Sequence, residues 1–329
     1  MIFGNSAIGQ LGQQLFSTGS QLLTLKYSRK QETEADNLGI QYLRSAGYDP
    51  RAMSTVLRSL AAQNALDSSL LGSSTAVPEW ASTHPDPASR VSAALNRAGA
   101  NATGLTNRDV FLSSINGLMY GDDPKQGVVE GRTFTHPDFR MQFEAPTGFY
   151  VLNGTRSVQI GGQSGKGELT TAAYNGNMGD YIRTVFAGLT GQGQAQITPG
   201  EIKRTTINGI PASYSTARVN NGSSQVDVVV FAYEFSPSQA FHFVTISQAG
   251  KSSQFDSLFS SMRRISTAEA AAVKPRRVQV VTARSGDTLQ SLASRMAYTD
   301  KPLERFLVLN GLTSSSRLAA GQKVKIVTY

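Results

Sequence analysis

With 329 residues, of which 40% are hydrophobic and 16% charged, the chain has the composition of a globular protein long enough for two or three domains. Zero cysteines exclude disulfides and thiolate zinc sites, and no apolar run approaches the roughly 20 residues that span a bilayer. Of the net charge of +8, most sits at the end of the chain, where residues 266 to 329 hold ten Lys/Arg against four Asp/Glu.

The first strong pattern is Tyr27 to Pro50, YSRKQETEADNLGIQYLRSAGYDP. Ser28 with Gln31 has the form of a capping box, and Ala35, Leu38, Tyr42, Leu43 and Ala46 recur at steps of three and four as the apolar stripe of a helix. Gly47 is the expected left-handed C-cap. Asp49-Pro50 then reads as the N-cap and first residue of a second helix carrying Met53, Val56, Leu57 and Leu60. Glu32 and Asp36, four apart, lie on one face of the first helix. On composition alone, with Arg29 and Lys30 beside them, they read as a solvated face.

The whole string resembles the third-ligand segment of the HtpX and BepA type zinc metalloendopeptidases, the gluzincin family that also contains the CAAX prenyl protease. Ser28, Arg29, Glu32, Ala35 and Asp36, then Ala46, Gly47, Tyr48, Asp49 and Pro50, match its pattern. The resemblance implies that Glu32 is a carboxylate ligand to Zn2+ and that Asp36 orients a ligand histidine through its other ring nitrogen. It also implies an H-E-x-x-H helix upstream, whose glutamate serves as general base. The chain has no such motif: its three histidines are His84, His136 and His242. The expectation is a chain that starts partway through a protease domain and is inactive alone, or a degenerate member kept for binding. No signal peptide is visible at its start.

Further on, STHPDPASR at 82–90 resembles the family's His-Pro loop. By that resemblance His84 is a reversible plug of the open zinc position or a transition-state residue, and Arg90 the basic residue that closes over the site. The alternative is a Pro-rich turn before a helix running from Ser89 to Ala98. A Gly, Asp and Pro-rich connector at 113–132 closes this helical segment.

From 133 to 265 the period changes to two. Phe139, Met141 and Phe143 alternate, as do Val158 and Ile160, and strands Val226 to Phe235 and Ala240 to Ile246 flank a Ser-Pro-Ser turn. Asn208-Gly209 marks a tight hairpin, and helical patterns run from Met178 to Leu189 and from Ser253 to Met262. GGQSGKGE at 161–168 lacks the spacing of a phosphate loop and reads as a hairpin, while His136 and His242, set among aromatics, read as structural residues. The order of elements is similar to the PsbP and DcrB-like periplasmic domains.

After an Ala-rich stretch that breaks at Lys274-Pro275, residues 278–329 resemble a LysM module, whose βααβ fold binds N-acetylglucosamine-containing glycans. Asp287 is placed to cap its first helix, Asn310-Gly311 ends the second, and AYTDKPLE between them departs from the usual short turn. The expected fold is therefore multidomain α and α+β: a helical partial metalloprotease domain at 1–120, an antiparallel-sheet α+β domain at 133–265 and a small LysM-like domain at 278–329. The expected function is that of a zinc metalloendopeptidase of the cell envelope, in the periplasm or at the outer membrane of a Gram-negative bacterium, acting on a protein or peptide. The alternative is a non-catalytic cell-wall binding protein that holds peptidoglycan through residues 278–329. With no nucleic-acid fold motif and few rings in the basic segment, nucleic acid is not an expected partner.

Overall fold

The computed structural model describes residues 29–70, 87–189, 197–220 and 225–329. They form two compact units, one comprising the described residues up to Gly121 together with Pro275–Tyr329, the other Asp122–Lys274. No described helix is long and apolar enough to cross a membrane.

The first unit opens with helices α1 (Arg29–Ser45), α2 (Ala52–Leu70) and α3 (Pro87–Ala98). α1 stops as its sequence predicts. Gly47 sits at φ +76, and the N–H groups of Gly47 and Tyr48 reach back to Arg44 O and Leu43 O at 3.0 and 2.8 Å. The Asp49 carboxylate then accepts the Arg51 N–H at 2.9 Å at the entry to α2. α1 and α2 approach closely at Gly39, where an added Cβ would collide with the Met53 methyl. Ile40, Leu57 and Ala94, one from each helix, form the core of this bundle. The buried line of α1 is not the expected apolar stripe: Leu38 and Tyr42 are 40% and 67% exposed, while Glu32, Asp36 and Ile40, at steps of four, are buried. Apolar spacing misplaces the inward face because two acids on it are held by a cation from another helix. Ser28, the expected cap, lies outside the described residues.

Helix α4 (Arg108–Ile115) follows, and the segment after it adds to a strand of the C-terminal module. That module is β12 (Arg277–Thr282), α8 (Leu289–Ala293), α9 (Pro302–Asn310) and β13 (Lys323–Thr328), with β12 and β13 antiparallel, a βααβ arrangement. Gly117 N–H bonds to Val278 O, Val278 N–H to Leu118 O and Tyr120 N–H to Arg276 O, each at 2.8 Å, so part of the expected connector covers the edge of β12. Tyr120 packs on the module's core of Leu292, Phe306 and Ile326. The cap of α8 is Thr288, whose hydroxyl accepts the Ser291 N–H, rather than the expected Asp287, whose carboxylate accepts the Arg284 N–H inside the preceding turn. Gly311 closes α9 in the left-handed conformation, as expected.

AYTDKPLE is the part of the module that meets α2. Lys301 donates from Nζ to Ser69 O and Oγ at 3.0 and 2.9 Å, and the guanidiniums of Arg276 and Arg305 lie 4.5 and 4.1 Å from the Tyr298 ring.

The second unit holds strands β1 (Val128–Glu130), β2 (Thr133–His136) and β3 (Met141–Glu144), followed by β4 (Phe149–Asn153), β5 (Val158–Gly162) and β6 (Gly165–Thr171). After α5 (Met178–Gly188) come β7 (Lys203–Ile207), β8 (Ile210–Asn220), β9 (Gln225–Ser236) and β10 (Gln239–Gln248), then α6 (Asp256–Ser261), β11 (Arg263–Arg264) and α7 (Thr267–Ala272). A seven-stranded antiparallel sheet runs β4-β5-β6-β10-β9-β8-β7, and a four-stranded one runs β1-β2-β3-β11. β9 and β10 are buried on both faces, which is why they read as nearly continuous apolar runs. One face packs Phe143, Phe231 and Phe243 with Phe259 of α6; the other packs Val228 and Val230 under Ile182 and Phe186 of α5. The Asn208-Gly209 turn has φ +48 and +77, and residues 161–168 form the β5–β6 hairpin, both as the sequence predicts. Phe139 is outside β3, exposed in the turn before it.

Candidate functional site

Glu32 occupies the first turn of α1 and Asp36 the next, and both are 8% exposed. Buried carboxylates need compensation, and Arg90 on α3 provides it. Its Nε and Nη2 donate to Asp36 Oδ2 and Oδ1 at 2.8 and 2.5 Å, a bidentate pair, and its Nη1 donates to Glu32 Oε2 at 2.6 Å. One planar guanidinium thus bonds both acids, a geometry that an ammonium cannot reproduce. The Asp36 carboxylate, acting against desolvation, raises the Arg90 pKa above its ordinary value.

Local structure aims these groups. The spacing of four puts the acids on one side of α1, and Arg44 of α1 donates from Nη2 to Arg97 O and Ala98 O at 2.8 and 2.9 Å, tying the C-terminal end of α3 to α1. The Arg44 contact has no sequence signal beyond a basic residue in a last turn.

The residues described do not fit a catalytic zinc ion. Such a site takes three protein ligands and leaves a fourth position to water. Among the described residues no group of three or more His, Asp and Glu side chains could hold a metal. Glu32 faces an arginine, His136 and His242 belong to β2 and β10 of the other unit, and His84 lies outside the described residues. The sequence thus brings Glu32, Asp36 and Arg90 together and assigns no described histidine to them.

The two described histidines have other settings. His242 is fully enclosed beneath α5; the Tyr181 hydroxyl accepts the Ala172 N–H and donates to Ala240 O, both at 3.1 Å, and meets His242 Nδ1 at 2.8 Å. Burial pushes the imidazole pKa down to about 3. His136 is buried beside Phe139, whose N–H it accepts on Nδ1 at 3.3 Å, and burial lowers its pKa as well, against the pull of Asp138.

Comparison with known proteins places these observations. The profile of Peptidase family M48 matches residues 3–98, and that of the LysM domain matches residues 281–327. The beta-barrel assembly-enhancing protease of Yersinia pestis is 37% identical over 108 residues, 32% of this chain and 21% of the relative. Its namesake in Escherichia coli is 40% identical over 80 residues, 24% of this chain and 15% of the relative. The chain therefore spans about a fifth or less of the length of these curated relatives. Among solved structures, cyanobacterial PsbP from Synechocystis overlaps with a TM-score of 0.33 at 13% identity, over 40% of this chain and 91% of that one. A Bacteroides thetaiotaomicron protein gives 0.34 at 10% identity, over 61% and 87%.

Proposed function

We propose that this chain, which carries a segment of peptidase family M48 and a LysM domain, provides the carboxylate side of a zinc metalloendopeptidase centre of the bacterial cell envelope and is not itself a competent peptidase. The observation behind this reading is Arg90, bonded to the two acids that the family resemblance marks as metal ligand and histidine orienter. Zinc chemistry would supply a water activated for attack on a peptide carbonyl. This chain's own residues do something else: Arg90 neutralises Glu32 and Asp36 and keeps the acids folded inward. The family's ligand set includes the two histidines of an H-E-x-x-H motif, and the 329 residues contain no such motif. The envelope setting, periplasmic or at the outer membrane, is supported by the named relatives in Yersinia pestis and Escherichia coli.

Casein digestion tests the reading. The purified chain is expected to leave casein intact in excess zinc, with no difference between it and the Glu32→Ala variant. Cleavage that disappears in Glu32→Ala would overturn the proposal.

A second reading, an envelope binding protein, is favoured by the LysM match and the basic excess after residue 266. Co-sedimentation of the chain with purified peptidoglycan is its test. Binding that survives a rise in salt supports glycan recognition, and binding that fades steeply reduces it to bare charge.

A further inference from the structure

In the second unit a cavity of about 230 Å³ opens between the small sheet and the β4–β5–β6 edge of the large one. Its apolar lining includes Phe134, Met141, Leu169 and Phe241. For scale, a cavity of about 150 Å³ lined by aliphatic and aromatic groups holds benzene. The space therefore takes one aromatic ring with a short tether.

The lining also carries polar side chains, but its charged groups are few and of one sign. Lys125 and Arg156, both exposed side chains, stand among the lining residues, and no carboxylate does. His136 lines the cavity while spending Nδ1 on the Phe139 N–H, which leaves its proton on Nε2 as a donor. Asn153, whose amide nitrogen donates to Gly127 O at 2.8 Å, has a buried Oδ1 with no hydrogen-bond partner. Phe139 lies 42% exposed, its ring centroid 4.1 Å from His136 and 5.1 Å from Phe241. An aromatic side chain left in water on top of two other rings is the mouth of a site more than a piece of a core.

We propose that this cavity binds an aromatic carboxylate: the ring enters among Phe134, Phe139 and Phe241, and the carboxylate is held at the rim by Lys125 and Arg156. Edge-to-face contacts favour a ring over an alkyl chain of equal size. The two rim cations favour an acid over its neutral amide. Two sources share this chemistry, a free aromatic acid and the C-terminal phenylalanine of a peptide. Neither involves Glu32 or the metal reading.

The test is calorimetric titration of the full chain with hydrocinnamate, its amide, and the peptide acetyl-Ala-Ala-Phe as free acid and as C-terminal amide. Saturable binding of an acid is expected in the high-micromolar to millimolar range, at least tenfold tighter than its amide. The double variant Lys125→Glu, Arg156→Glu changes only exposed positions and should weaken acid binding at least tenfold, while circular dichroism stays unchanged. Binding of hydrocinnamate identifies a small-molecule site, and binding of the peptide acid alone identifies a chain terminus. Equal affinity for acid and amide, unchanged affinity in the double variant, or no heat with any of the four probes overturns the proposal.

Discussion

Arg90 makes three hydrogen bonds to two buried acids, so its removal strips both of a charged partner at once. Arg90→Met should lower the unfolding free energy by about 3–5 kcal/mol, the range for breaking a buried ion pair from one side. Urea denaturation measures it; a loss below about 1 kcal/mol would mean that the acids find other compensation, as exposed pairs do. His242 supplies a second residue-scale test. Burial holds its folded pKa at about 3, below the ordinary imidazole value of 6.5. Below that value the unfolded chain binds a proton that the folded chain refuses, so stability is complete above about pH 6.5 and falls as acid is added. The slope is about 1.4 kcal/mol per pH unit, roughly 2 kcal/mol by pH 5. Denaturant midpoints at a series of pH values should show it, and His242→Leu should flatten that part of the curve.

Stops and turns of the helices and strands are more legible in the sequence than their buried faces. Gly47, Asn208-Gly209 and Gly311 each need a left-handed backbone, a local requirement written in one or two residues. The inward side of α1 was not legible from apolar spacing, because it depends on Arg90, more than fifty residues away, making Glu32 and Asp36 cheap to bury. Their pairing on one face was legible from spacing alone, and their chemical meaning only from the family resemblance. At α8, Asp287 and Thr288 are adjacent and both good caps, and the turn after Arg284 uses the aspartate first. Thr288→Ala should therefore destabilise the chain by about 1 kcal/mol and Thr288→Ser by much less, read as shifts in urea midpoint. The AYTDKPLE departure also has a cause: it carries Lys301, which reaches Ser69 of α2, and Tyr298, on which Arg276 and Arg305 stack within the module.

For the molecule as a whole, the M48 segment and the LysM domain are sequence-marked parts, and the described helices of the former share a compact unit with the latter. In that unit Arg90 bonds both of the acids that the family resemblance assigns to a metal centre. On the proposed function, Glu32 and Asp36 are the carboxylates of a metallopeptidase centre in a chain that retains no zinc by itself. The decisive measurement is zinc content after exhaustive dialysis: far less than one zinc per chain is expected, the same for wild type and Glu32→Ala, and one zinc retained per chain and lost in Glu32→Ala would overturn this reading.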